Sequence, residues 1–186
     1  MVLHHPQKGQ GVSDYLFPLL TIPWLTLVAR ADLRSRSVPN WLTLPPLIAS
    51  LIVACFRMEW AAAALMILLV LVSDLPLLLG VGLALASIIL FCWLSGAAVQ
   101  SATLGKCLLL FGIWLLWRVG GTGGADAKVL LTLTLLYGVG ILLAAFFAGG
   151  IFGLVAWIRK QRTLPYLVPV FLGSSVYLIW KFIFQA

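Results

Sequence analysis

The chain holds only five acidic residues, and two of them stand in text that suits chemistry. Asp32 lies in "ADLRSRSVPNWLTLP" and Asp126 in "GGTGGADAKVLL". Two carboxylates that meet share one proton: the ionised one can activate a water while its protonated partner polarises a carbonyl. That is the chemistry of aspartic peptide hydrolysis. The four glycines before Asp126 suit a loop whose backbone comes close to another chain. Each acid also has a plainer reading. An aspartate opening a helix is a favoured cap or first-turn residue, which covers Asp126. Asp32, flanked by Arg30, Arg34 and Arg36, taken alone reads as a solvated loop charge.

The elements that must position these acids are apolar. Of the 186 residues 63% are hydrophobic and 9% charged, against roughly 25% charged in a soluble domain, and the mean hydropathy is +1.13. Most of the surface therefore meets lipid rather than water. In lipid each long apolar run must satisfy its own backbone, which favours helix. The runs predict helices at about 14–32, 40–56, 60–74, 76–96, 104–119, 126–137, 140–158 and 166–184. The fold class expected is all-α, a polytopic integral membrane bundle of about eight hydrophobic helices forming a single domain over residues 1–186.

Lysine and arginine set the orientation. With alternating spans, Arg30, Arg34, Arg36, Arg118, Lys128, Arg159, Lys160 and Arg162 fall on one side, and Lys8, Arg57, Lys106 and Lys181 on the other. Eight against four places the first group, with Asp32, Asp74 and Asp126, in the cytoplasm. The net charge of +7 comes from these small clusters, without a basic run interleaved with aromatics, so no nucleic-acid partner is expected. Cys55, Cys92 and Cys107 form no C-x-x-C pair, and His4 and His5 have no companion ligands, so no metal or cofactor is expected. No cleavable signal peptide is evident, because the first apolar run leads into "RADLRSR". Asp74, in "SDLP", reads as a helix cap.

"DLRSRSVPNWLTLP" resembles the first signature of the prepilin peptidases, membrane aspartyl proteases that trim type IV pilin precursors. Asp32 takes the aspartate position, Arg34 and Arg36 the basic ones, and Val38, Pro39 and Asn40 the branched–Pro–Asn step. "GGADAK" looks like the second signature, Gly-x-Gly-Asp, with Gly123, Asp126 and Lys128 matching. Ala125 replaces the second glycine, as in the archaeal preflagellin peptidases that accept a hydrophobic residue there. "LPYLVPVFLG", Leu164 to Gly173, is similar to the "IPFGPFLALG" that opens the family's last helix. The presenilin-type proteases share the Gly-x-Gly-Asp idea but lack the "PNWLTLP" text. Residues 57–101 are longer than in minimal members and read as a helical hairpin added to a six-helix family core. The zinc-binding C-x-x-C pairs of the larger, methylating relatives are not in this sequence.

The resemblance implies a leader peptidase with Asp32 and Asp126 catalytic, and Gly123, Gly124 and Lys128 towards the substrate. It would sit in the cell membrane with its aspartates at the cytoplasmic face. The implied partner is a prepilin-like or archaellin-like precursor, with a basic leader and an apolar helix, met within membrane lipid. The plainer reading of Lys128 is a lysine snorkelling to headgroups. A helix N-terminus favours the charged form of Asp126, making it the expected ionised base. Both acids should lie at one depth, facing one cytoplasm-open cavity whose movable wall is the glycine loop. The competing class is a small transporter or proton channel using border carboxylates; against it, no acid falls at mid-membrane. The small residues of "AAFFAGGIFG", from Ala144 to Gly153, suit close helix packing, either with a precursor helix or within the protein's own bundle.

Overall fold

A computed structural model describes residues 11–95, 101–160 and 166–184. His4, His5, Lys8, Arg162, Leu164 and Pro165 lie outside the described residues, and so does the loop 96–100. Among the described residues the chain is all-helical. The helices are α1 (Gly11–Ser35), α2 (Asn40–Phe56), α3 (Trp60–Leu71), α4 (Leu77–Ser95), α5 (Ser101–Arg118), α6 (Gly124–Tyr137), α7 (Val139–Ile158) and α8 (Leu167–Phe184). The second helix has the bounds expected from sequence. The first runs further, through Asp32 to Ser35, so Asp32 is a helical residue and not a loop charge.

Two helices, Val139–Ile158 and Leu167–Phe184, are long and apolar enough to cross a membrane. Only 22% and 39% of their apolar windows are buried, so neither is the core helix of a soluble protein turned inward. The outer surface carries large apolar side chains such as Phe56, Leu78 and Trp157, a surface suited to lipid rather than water.

The packing follows from freed backbone groups and missing side chains. Pro46 has no N–H, so the carbonyl of Leu42 four residues earlier loses its helical donor; Trp24 of α1 supplies one, its Nε1 donating to Leu42 O at 2.8 Å. The proline-containing end of α2 is thereby pinned to α1. α2 also packs along α6, and α1 along α8. α7 and α8 form the closest pair. Gly173 of α8 sits against the backbone of Ala144 and Ala145, where a Cβ would overlap the Ala144 carbonyl oxygen. Part of the small-residue run thus serves the protein's own bundle, whereas Gly150 and Gly153 have open space beside them.

α3 and α4 pack on each other and on α5. A cavity of about 230 Å³ lies among these three, lined by Ala61, Leu65, Ile88, Phe91 and Cys107 among others. It is apolar and remote from both aspartates.

Gly173→Ala is expected to weaken the α7–α8 contact by about 1–3 kcal/mol, the usual cost of overpacking, and to lower the melting temperature in detergent. Gly150→Ala, which meets nothing, should be neutral or stabilising; equal losses in the two variants would refute the assigned contact.

Candidate active site

α1 and α6 are tied at the end of the bundle away from the glycine loop. Thr21 Oγ1 and Tyr137 Oη share a hydrogen bond of 2.7 Å. From Thr21 to Asp32 is eleven residues forward along α1, and from Tyr137 to Asp126 eleven residues back along α6. Eleven residues are about three helical turns and roughly 16 Å of rise. Each aspartate therefore sits on the same face of its helix as the residue making the far tie, and at a matching height. The acids do feel each other: the charge of Asp32 contributes to an upward shift at Asp126.

The glycine loop shapes the surroundings of Asp126. α5 closes with Gly120 in the left-handed region at φ 77. Gly120 N–H donates to Trp117 O at 3.0 Å and Gly121 N–H to Leu116 O at 2.7 Å, a Schellman ending that favours glycine. Gly123 then caps α6, and Asp126, three residues on, reaches back to accept the Gly123 backbone N–H, the reciprocal half of a capping box. A Cβ on Gly123 would stand 3.1 Å from Asp126 Oδ2. The need for glycine there is room for the carboxylate, since its φ of −67 is open to any residue. Ala125 lies in the first turn of α6 without positive φ. The departure from Gly-x-Gly-Asp is thus accommodated by ordinary helix.

Asp126 lies outside both apolar spans, and its carboxyl is pushed above the ordinary value of 3.8. Burial is the larger cause and Asp32 the second, and together they outweigh the Gly123 N–H bond. These causes act against the helix dipole, which favours the charged form. Burial and a like charge both favour the protonated form of Asp126. Asp32 is 9% exposed, and its Oδ2 accepts the backbone N–H of Leu167 at 3.1 Å. Tyr166, one residue earlier, has its phenol pushed up by burial and then by the nearby Asp126.

Lys128 Nζ donates to Asn40 Oδ1 at 2.7 Å, so the two sequence signatures touch through their polar residues. Gly124 is exposed beside the Trp117 indole nitrogen. Asp74 is exposed in the turn before α4. Among the described residues no group of three or more His, Cys, Asp or Glu could hold a metal ion. Sequence reasoning missed Tyr166 and the Leu167 N–H. The tyrosine was visible as the aromatic of "LPYLVPVFLG"; the N–H, a backbone atom, leaves no mark in a sequence.

An all-helical protein with two helices long and apolar enough to cross a membrane, and with Asp32 and Asp126 near enough to influence each other, is the class that fold and site define. A profile of the type IV leader peptidase family (Peptidase_A24) matches residues 19–158. The chain belongs to that family: it is a peptidase of a membrane-embedded, leader-processing group. The match takes in both aspartates and the helices α3 and α4, and stops short of α8. Comparison with curated proteins and with solved structures returned no match.

Two outcomes are expected. Gly123→Ala should displace the Asp126 carboxylate and lower peptidase activity at least tenfold, while Gly124→Ala stays within a few-fold of wild type; a fully active Gly123→Ala would remove the steric account. Asp126→Asn should raise the melting temperature at neutral pH. A raised folded-state pKa supports the fold below the unfolded value, and that support is lost as pH rises through the raised value. The Asn variant has no such loss, so its advantage should close on acidification towards pH 4; an advantage independent of pH would contradict the assignment.

Proposed function

We propose that this peptidase is an aspartic endopeptidase that removes the basic leader from type IV prepilin-like precursors, acting at the cytoplasmic face of the cell membrane. Asp32 and Asp126 form its catalytic pair, within a single polytopic domain over residues 1–186. The observation that carries the reading is the matched eleven-residue spacing from the Thr21–Tyr137 bond to the two acids, with their mutual electrostatic influence. It is supported by family membership over a segment containing both.

Asp126 holds the proton and Asp32 is the ionised partner. Asp32 takes a proton from a water whose oxygen attacks the scissile carbonyl carbon, while Asp126 donates towards the carbonyl oxygen. Collapse of the tetrahedral carbon breaks the C–N bond, and a proton passes to the leaving amine. Gly123 and Gly124 leave the backbone at the start of α6 open to an extended segment. Lys128, braced on Asn40, stands on the substrate side of the same helix end. The enzyme's own cytoplasmic face is basic, so contacts with the apolar helix of the precursor, rather than attraction of its basic leader, supply the binding.

The test uses purified full-length protein in lipid vesicles with a precursor-like peptide, a basic leader joined to an apolar helix. Asp32→Asn and Asp126→Asn should each abolish cleavage, and the double variant should lose no more than either, as for residues serving one step. Wild-type cleavage should persist under strong chelators. Near-wild-type turnover in either single variant, with the fold intact, would end this reading.

A further inference from the structure

The position of Asp32 poses an electrostatic problem that its own helix does not solve. It lies one turn from the C-terminus of α1, where the helix dipole presents partial negative charge and opposes a carboxylate. It is also buried, which opposes the charge further. An ionised Asp32 therefore needs a donor from elsewhere in the fold.

α8 provides one. Tyr166 O accepts the first helical bond, from Val170 N at 3.4 Å, which makes Leu167 the first residue of the helix proper. Its N–H is one of the four that an α-helix leaves without an internal partner. That N–H points to Asp32 Oδ2. The positive end of the α8 dipole is thus applied to the acid that sits on the negative end of α1.

We propose that the backbone N–H of Leu167 is the positioning group that holds Asp32 as the ionised, water-activating member of the pair. This rests on the aspartic reading above and assigns a working part to α8, which lies beyond the matched family segment. The titratable groups around Asp32 are Asp126 of α6 and Tyr166 at the start of α8, with Arg30, Arg34 and Arg36 flanking it on its own segment. Lys128 of α6 is engaged by Asn40. Tyr166 keeps its phenolic proton through burial and the nearby Asp126; the donor seen on Asp32 is the Leu167 N–H.

Proline is well tolerated at the first helical position and, compared with alanine there, removes the N–H. In the full-length protein in vesicles, assayed with the leader–helix peptide, Leu167→Pro is compared with Leu167→Ala, which keeps the N–H but loses the buried side chain. Relative to Leu167→Ala, Leu167→Pro should lower kcat about tenfold with KM unchanged. It should also move the acid limb of the pH profile up by about one unit, the same tenfold factor in proton affinity. Matching kcat and acid limb in the two variants would overturn the assignment. A second measurement needs no proline: the Leu167 amide resonance of the 15N-leucine-labelled wild type, identified by its absence from Leu167→Ala, should titrate with pH. In Asp32→Asn it should not; an amide resonance that ignores both pH and that substitution overturns the proposal. The two failures separate cleanly. Cleavage by Asp32→Asn sinks the aspartic reading, whereas an inactive Asp32→Asn with a Leu167→Pro indistinguishable from Leu167→Ala sinks only this inference.

Discussion

Backbone groups that a helix cannot satisfy for itself govern how this chain is assembled. In an apolar surround such groups cannot turn to water and must find a partner within the protein. Pro46 frees the Leu42 carbonyl, which Trp24 takes. The last turn of α6 leaves the Leu136 carbonyl, which Arg57 Nη1 reaches at 2.7 Å. The Leu75 carbonyl, in the turn before α4, accepts Arg118 Nη2 at 2.6 Å. The first N–H of α8 goes to Asp32. Each leftover group joins elements that hydrophobic contact alone would leave free to slide, and in lipid hydrophobic contact is a weak discriminator between helix faces.

The two ends of the bundle divide the polar residues. One end carries the paired acids, the glycine loop, and the Asn40–Lys128 contact. The other carries the Thr21–Tyr137 bond and the ion pair of Lys106 with Glu59 at 2.6 Å. Glu59 and Lys106 are partly buried, and the second Glu59 oxygen has no hydrogen-bond partner. Removing Lys106 alone would leave a buried, unpaired charge, the circumstance in which such pairs matter most. The far end thus ties α1 to α6 and the start of α3 to α5.

Much of this was legible in the residue order, for physical reasons that differ from element to element. The apolar runs separated by polar or glycine-rich breaks correspond to the eight helices of the described residues, since an apolar segment that must satisfy its own backbone favours helix. Asp32 and Asp126 stand out because acids are scarce in such a chain and sit in distinctive text. The upward push on the Asp126 carboxyl was not legible, since burial and a neighbouring carboxylate are set by tertiary packing. Ala125 looked like a departure, yet it occupies plain helix, and the glycine that matters sterically is Gly123. The pairing of Asn40 with Lys128, 88 positions apart, could be suspected as residue types but not as a contact.

α6 is short for its surroundings. Its fourteen residues rise about 21 Å, against about 30 Å of bilayer hydrocarbon. One end bears Asp126 and the other a carbonyl capped by an arginine. A bilayer meets such a mismatch by thinning, by tilting the helix, or by drawing water towards the polar ends. The polar groups at the two ends of α6 thus stand closer together than the thickness of a full bilayer core. The Asp126 end of so short a helix is thereby kept within reach of water even where the surrounding bilayer is thicker.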